Sequence, residues 1–245
     1  MNSSQTEIQP TKETVVLEAA PTPGWKRALD IILIVIASPV LVPVMVGIAL
    51  LVRFSSEGPI LFRQERVGFL GKKFMCFKFR TMIAGIETKS HEGHLENLIG
   101  SNKPMVKMDA KNDPRIIPFG GPLRSSGLDE LPQIINVLRG EMSLVGPRPC
   151  TPFEFGKYKP AHKERFKTIP GLTGLWQVSG KNNTTFEEMI QLDVNYIKRK
   201  SLWLDIWIIV KTVPALLIQV IETRARRKAH ARSVEPAVSR QPANQ

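Results

Sequence analysis

Two acidic residues stand side by side, Asp129-Glu130, in the run GGPLRSSGLDELPQIINVLRGEMSLVGPRP (residues 120–149). Arg124, Arg139 and Arg148 flank them in the same run. Carboxylates repel phosphate. A pair of them among arginines makes chemical sense where cations hold a phosphate in place for the carboxylates to work on. The same pattern also fits a capped helix start, because acids in a first turn face free backbone N–H groups and the positive end of the helix dipole. Further along, Gly146-Pro147-Arg148-Pro149 fixes the backbone on both sides of one guanidinium. Rigid presentation lowers the entropy cost of gripping an anion, although a purely structural proline turn reads the same way.

The elements that must position these groups follow from hydrophobic patterning. Leu128, Leu131, Ile135 and Leu138 recur on one face, which predicts a helix over 128–139 with the acid pair in its first turn, Pro132 near the start and Gly140 as the stop. Upstream, residues 60–68 and 72–82 form two short β-like runs joined by Phe69-Leu70-Gly71, a hairpin. The second run lacks strict alternation, so a bulge or a short strand is expected, with Lys78 and Arg80 on one face. Residues 83–112 are polar and read as a helix and a loop, and Asn112-Asp113-Pro114-Arg115 as a turn. Residues 170–180, PGLTGLWQVSG, form a glycine-punctuated loop around Trp176 that packs near the site. Its glycines, at 171, 174 and 180, have neither dinucleotide-fingerprint nor P-loop spacing. Residues 186–200 read as a helix, on which Asp193 is either a site group or a solvated acid.

Residues 31–52, IILIVIASPVLVPVMVGIALLV, are uncharged and long enough to cross a bilayer. Pro39 and Pro43 fall in the middle of the segment, and each would cost ~3 kcal/mol in a helix interior in water. Ser38 can bond a carbonyl that Pro39 leaves without a donor. Basic residues lie at both ends, Lys26-Arg27 and Arg53, so charge does not decide an orientation. A bent helix that enters and leaves by the same face satisfies both features, and a simple crossing stands as the alternative. The segment 202–223 is apolar but interrupted by Asp205, Lys211 and Pro214. Trp203 and Trp207 share a face, so it reads as lying on a membrane or packing on the first segment.

Composition narrows the partners. The 245 residues hold 34 Lys+Arg against 22 Asp+Glu, a net charge of +12. That balance suits a polyanion, an anionic lipid or a phosphorylated substrate. There is no nucleic-acid signature such as paired Cys/His fingers, and nucleic acid is not expected as a partner. Cys76 and Cys150 cannot form a disulfide framework and read as small buried hydrophobes. His91 and His94 have no further ligand nearby for zinc. The basic stretch 224–232 suits anionic headgroups or solubilises the terminus.

Five motifs occur in order: KRALD before a Ser-Pro-bearing apolar segment, QERVGFLGKKFMCFKFRTM, NDPRIIPFG, LDELPQIINVLRGEMSLVGPRP and PGLTGLWQVSGK. Together they resemble the bacterial sugar transferases, the monotopic phosphoglycosyl transferases that start exopolysaccharide or O-antigen units, over about residues 25–215. The resemblance implies a mostly helical α+β fold. It comprises a mobile tail over 1–24, a broken re-entrant membrane helix over 25–53, a cytoplasmic catalytic domain over 54–223 with a small β-hairpin and membrane-surface amphipathic helices, and a basic disordered tail over 224–245. Long members carry four further N-terminal membrane helices, so this chain resembles the minimal form. The implied reaction moves a sugar-1-phosphate from a UDP-sugar to polyprenyl phosphate at the cytoplasmic face of the bacterial inner membrane. Asp129 is the implied nucleophile and Glu130 its partner, both toward Mg²⁺. Arg148 is the implied phosphate grip. Lys78, Arg80 and Arg124 are implied near the nucleotide, and Asp193 is a further candidate. Gly127 and Lys181 depart from the residues common in the family. A homodimer is compatible with this reading. So is a non-catalytic basic scaffold of a polysaccharide export assembly, which would not need Asp129.

Overall fold

A computed structural model of the chain describes residues 18–83, 115–180 and 184–238, together with positions 93, 96 and 104. The expected tail over 1–17, the helix and loop over most of 83–112, the turn at 112–114, His91, His94 and Lys181 lie outside the described residues.

The long helix α1 spans Gly24–Ser55. It continues through Pro39 and Pro43, where the sequence predicts a break. Ser38 Oγ donates to the Val35 carbonyl at 2.8 Å, the acceptor that Pro39 leaves without a backbone donor. Val35, Ile36, Val40, Val42 and Val46 are exposed along its middle. Its two ends are buried, on the same folded domain. Lys26, Asp30 and Ile34 pack at one end, with Ile34 in a cluster that holds Ile134, Val137 and Met142. Ile48 and Val52 pack at the other, with Phe79, Ile117 and Leu123.

Strands β1 (Leu61–Val67) and β2 (Lys73–Phe79) form the expected antiparallel hairpin. The connection Phe69–Gly71 is a tight 3₁₀ turn, with Leu70 at φ 53° and Gly71 at φ 76°. Of the two alternatives for the second run, a bulge or a short strand, the structure shows the shorter strand without a bulge: seven consecutive residue pairs run from Leu61–Phe79 to Val67–Lys73. The strand reads as irregular because both of its faces are covered in part, burying the neighbours Cys76 and Phe77 on opposite sides.

A short helix, α2 (Gly120–Ser126), ends at Gly127, whose φ of 75° is the left-handed conformation glycine adopts without strain. A 3₁₀ segment follows over Leu128–Gln133 and turns into α3 (Ile134–Leu138). The acid pair therefore sits in a first turn, as expected, but the expected apolar face is wrong. Leu128 and Leu138 are exposed, while Pro132, Gln133, Ile134, Asn136 and Val137 are buried. Six residues wound at three per turn shift the phase of everything after them. Asn136 accounts for a buried polar position: its Nδ2 donates to the Met75 carbonyl at 2.7 Å and its Oδ1 accepts from the Phe77 N–H at 3.2 Å, tying α3 to β2.

A two-stranded parallel sheet not foreseen from the sequence joins β3 (Ser143–Val145) to β4 (Gly171–Thr173). Between them lie α4 (Pro152–Lys157) and a 3₁₀ segment, Pro160–Lys167. After β4 come α5 (Leu175–Val178), α6 (Phe186–Arg199) and α7 (Leu202–Val238). Helix α6 starts on a capping box, Thr185 with Glu188. The largest core cluster gathers Val67, Cys150, Tyr158, Phe166, Trp176, Phe186, Met189 and Ile190 beneath the hairpin and α6. Helix α7 exposes Trp203, Trp207, Val210 and Leu217. It runs beyond 223, where the sequence places its end, to Val238.

Candidate active site

The rigid segment after β3 is where the site begins. Gly146 and Gly171 stand face to face: a Cβ on Gly171 would lie 2.0 Å from the Gly146 nitrogen, and one on Gly146 would lie 2.5 Å from the Ile169 carbonyl. A Cβ on Gly174 would lie 2.3 Å from the Gly146 carbonyl oxygen. The glycine punctuation of PGLTG is thus a close crossing of two backbones. That crossing fixes Gly146-Pro147-Arg148-Pro149 against β4. From the domain side, buried Arg165 donates to the Arg148 carbonyl at 2.9 Å. From the α1 side, Asp30 accepts from Ser143 Oγ and from the Leu144 N–H at 3.0 Å each, and Lys26 donates to the Val145 carbonyl at 2.7 Å. Arg148 is therefore carried on a backbone held from both flanks.

Glu130 is the meeting point of the cations. Lys78, near the end of β2, donates to Glu130 Oε1 at 2.6 Å. The Arg148 guanidinium reaches the same oxygen at 3.4–3.5 Å. The Glu130 carboxylate raises the pKa of Arg148, against an opposing contribution from burial. Asp129 is next in the chain, in the same first turn. A small cleft beside them is lined by Arg66, Cys76, Lys78, Gln133, Arg148, Pro149 and Gly171. Burial raises the Cys76 thiol and pushes Cys150 up to about 12.

Of the residues singled out from sequence, the structure thus brings Lys78 and Arg148 onto Glu130. It gives the others different partners. Arg80 is buried on the carbonyls of Glu57 and Ser56, the latter at 2.8 Å, where it holds the chain between α1 and β1. Arg124 lies with NH1 2.8 Å from Met82 Sδ. Asp193 is neither at the dyad nor solvated: it forms a fully buried ion pair with Arg165 at 2.5 Å. It stands one residue behind Arg148, since Arg165 is what holds the Arg148 backbone. Sequence reasoning missed Arg165 and Arg66. Arg165 lies in HKERFK, a mixed-charge run indistinguishable from a solvated surface. Arg66 had a signal, because it sits two residues from Gln64 on one strand face.

Among the described residues no group of three or more His, Cys, Asp and Glu side chains gathers as for a metal held by protein alone. An adjacent acid pair beside a lysine and an arginine fits a different arrangement, in which a magnesium ion takes one or two carboxylates and completes its shell with water and a bound phosphate.

A carboxylate pair beside a cation-lined cleft, on a domain that carries two helices long and apolar enough to cross a membrane, Gly24–Ser55 and Leu202–Ile221, fits the class of membrane-associated enzymes. The chain belongs to the bacterial sugar transferase family, whose model matches residues 22–219. It is similar to the exopolysaccharide production protein ExoY of Sinorhizobium fredii, 37% identical over 193 residues, which are 79% of this chain and 85% of that protein. It is also similar to the UDP-glucose:undecaprenyl-phosphate glucose-1-phosphate transferase of Xanthomonas campestris pv. campestris, 44% identical over 202 residues, and to the undecaprenyl-phosphate galactose phosphotransferase of Salmonella typhimurium, 37% identical over 196. Those two matches cover 79% and 78% of this chain but 39% and 40% of the relatives, so the chain spans less than half the length of either.

Proposed function

We propose that this protein transfers a sugar-1-phosphate from a UDP-sugar to undecaprenyl phosphate, the first step of an exopolysaccharide or O-antigen repeat unit. The observation that carries the reading is the convergence of Lys78 and Arg148 on Glu130, one residue from Asp129, beside a small cleft that both cations line. The names of the relatives supply the substrates. They include both glucose and galactose donors, so the sugar itself is not part of the proposal.

In the first half-reaction an Asp129 carboxylate oxygen attacks the phosphorus that bears the sugar. The bond from that phosphorus to the oxygen bridging to UMP breaks, and UMP leaves with the electron pair. The sugar phosphate then stays on Asp129 as an acyl phosphate. In the second half-reaction an oxygen of the lipid phosphate attacks the same phosphorus, the bond to Asp129 breaks, and the carboxylate is regenerated beside a lipid-linked diphosphosugar. Lys78 and Arg148 offset the charge of an anion approaching an anion, and Glu130 holds the two cations in place. Asp129 and Glu130 would hold magnesium, which supplies charge neutralisation at the diphosphate when bound.

The same reading places α1 as a re-entrant helix. If straight, its 32 residues would run about 48 Å, well beyond a hydrocarbon core of about 30 Å. Yet Lys26 and Asp30 near one end and Ile48 and Val52 near the other are buried on one domain, which a crossing would divide. The apolar middle of α1 and the tryptophan-bearing face of α7 would meet lipid, and the site would face the cytoplasm, where nucleotide sugars are made.

The test is UMP release from UDP-sugars by the purified protein with undecaprenyl phosphate. Asp129→Asn should abolish it, and chelation of magnesium should stop it reversibly. Full turnover by Asp129→Asn would reject the nucleophile. A wild-type protein with no turnover on a panel of UDP-sugars would favour the scaffold.

A further inference from the structure

The transferase reading gives Arg66 no task, yet its side chain lines the cleft. The side chain is 13% exposed. Gln64, on the same face of β1, accepts from Arg66 Nε at 3.1 Å and from NH2 at 2.6 Å, which fixes the plane of the fork. NH1 makes longer contacts: 3.4 Å to the Pro149 carbonyl and 3.9 Å to Glu154. Glu154 is itself engaged by the Thr151 N–H at 2.5 Å in its capping box. Arg66, Lys78 and Arg148 thus line one cleft, while the carboxylate at its side, Glu130, already receives two of the three. Burial lowers the pKa of Arg66, and the neighbouring Arg148 lowers it further. Like charges gathered away from bulk water are unfavourable until an anion joins them. An arginine oriented by a neutral amide, with its Glu154 contact no closer than 3.9 Å, keeps much of its charge for an anion, and a fixed fork loses little entropy when it binds one.

We propose that Arg66 is a third phosphate-binding residue of this site, its fork set by Gln64 and closing with Arg148 on the oxygens of one phosphate. The assignment rests on the transferase reading for the identity of that phosphate. Two visit the site, the diphosphate of the nucleotide sugar and the phosphate of the lipid acceptor.

The experiment has a binding arm and a kinetic arm, both on the full chain in nanodiscs. In the binding arm UMP and inorganic pyrophosphate are titrated calorimetrically into Asp129→Asn protein, with and without Arg66→Lys. Lysine keeps the charge and most of the stem but loses the fork, and a melting curve verifies folding. Loss of one charge-assisted pair should weaken anion binding by about tenfold or more. In the kinetic arm Arg66→Lys is compared with wild type at varied UDP-sugar and varied undecaprenyl phosphate. A raised KM for the nucleotide sugar assigns the first phosphate, and a raised KM for the lipid assigns the second. Unchanged anion binding together with unchanged KM for both substrates overturns the proposal, and in that case wild-type turnover leaves the transferase reading intact. Weakened anion binding in a protein without turnover does the reverse.

Discussion

Lys26 and Asp205 meet at 2.6 Å across 179 residues of sequence, and both side chains are almost wholly buried. The pair joins the first turn of α1 to the first turn of α7. The same ammonium donates to the Tyr196 hydroxyl at 3.0 Å and to the Val145 carbonyl. Breaking a buried pair from one side leaves an uncompensated charge, which costs about 3–5 kcal/mol. Lys26→Met should therefore lower the melting temperature sharply in detergent or nanodiscs. Lys26→Met with Asp205→Leu should recover much of that loss, because neither member of the pair is left without its partner and the neighbouring Asp30 keeps its bonds to Ser143 and Leu144. A double variant no more stable than the single one would show that the ion pair is not what holds the two helices.

The crossing of Gly146 and Gly171 predicts intolerance of a single methyl group. A Cβ at 2.0 Å from the Gly146 nitrogen has no flexible neighbour to push aside. Gly171→Ala should destabilise by at least about 1–3 kcal/mol, the usual cost of overpacking. It should also lower UMP release in protein that remains folded, because Arg148 rides on the displaced segment. Gly140→Ala serves as a comparison, since a Cβ there meets nothing within 4 Å and only the backbone conformation opposes it. Equal activity losses in the two variants would argue against the crossing.

Burial raises Asp193 from the ordinary 3.8 to about 6, against the pull of Arg165. A carboxyl whose folded pKa is raised contributes stability that is fully present below its unfolded pKa and is lost as the pH rises through the folded one. The contribution of Asp193 is therefore present below about pH 4 and is lost by pH 7, where the ionised group relies on Arg165. The difference in urea midpoint between wild type and Asp193→Asn, followed from pH 4.5 to 7.5, should show this window. A difference that is flat with pH would place the titration elsewhere.

The re-entrant placement of α1 predicts that a cysteine substituted for Pro10 is shielded from a membrane-impermeant thiol reagent in intact cells and reacts after lysis. Labelling from outside would favour a crossing helix.

How much of this was legible in the sequence differed by element. The hairpin, α6, the buried Trp176 and the position of the acid pair in a first turn follow from local patterning and capping. The face buried over 128–139 does not, because a 3₁₀ entry is selected by tertiary fit and rotates the helix that follows. The β3–β4 sheet has strands of three residues each, too short for any periodicity to register. At the site, Lys78 and Arg148 were readable as basic residues beside the dyad. The buried partners of Arg80 and Asp193, and the support that Arg165 gives Arg148, depend on contacts between segments distant in sequence.

Helix α1 grips both sides of what it serves: Lys26 and Asp30 bracket the strand that leads to Arg148, and Ile48 and Val52 cover Phe79 at the end of β2. A fragment beginning after Ser55 would forfeit all four contacts at once. The lipophilic segment is then a brace for the backbone on which the cations ride. Cutting it away would therefore loosen the backbone that carries Arg148 while leaving every residue of the cleft in the chain.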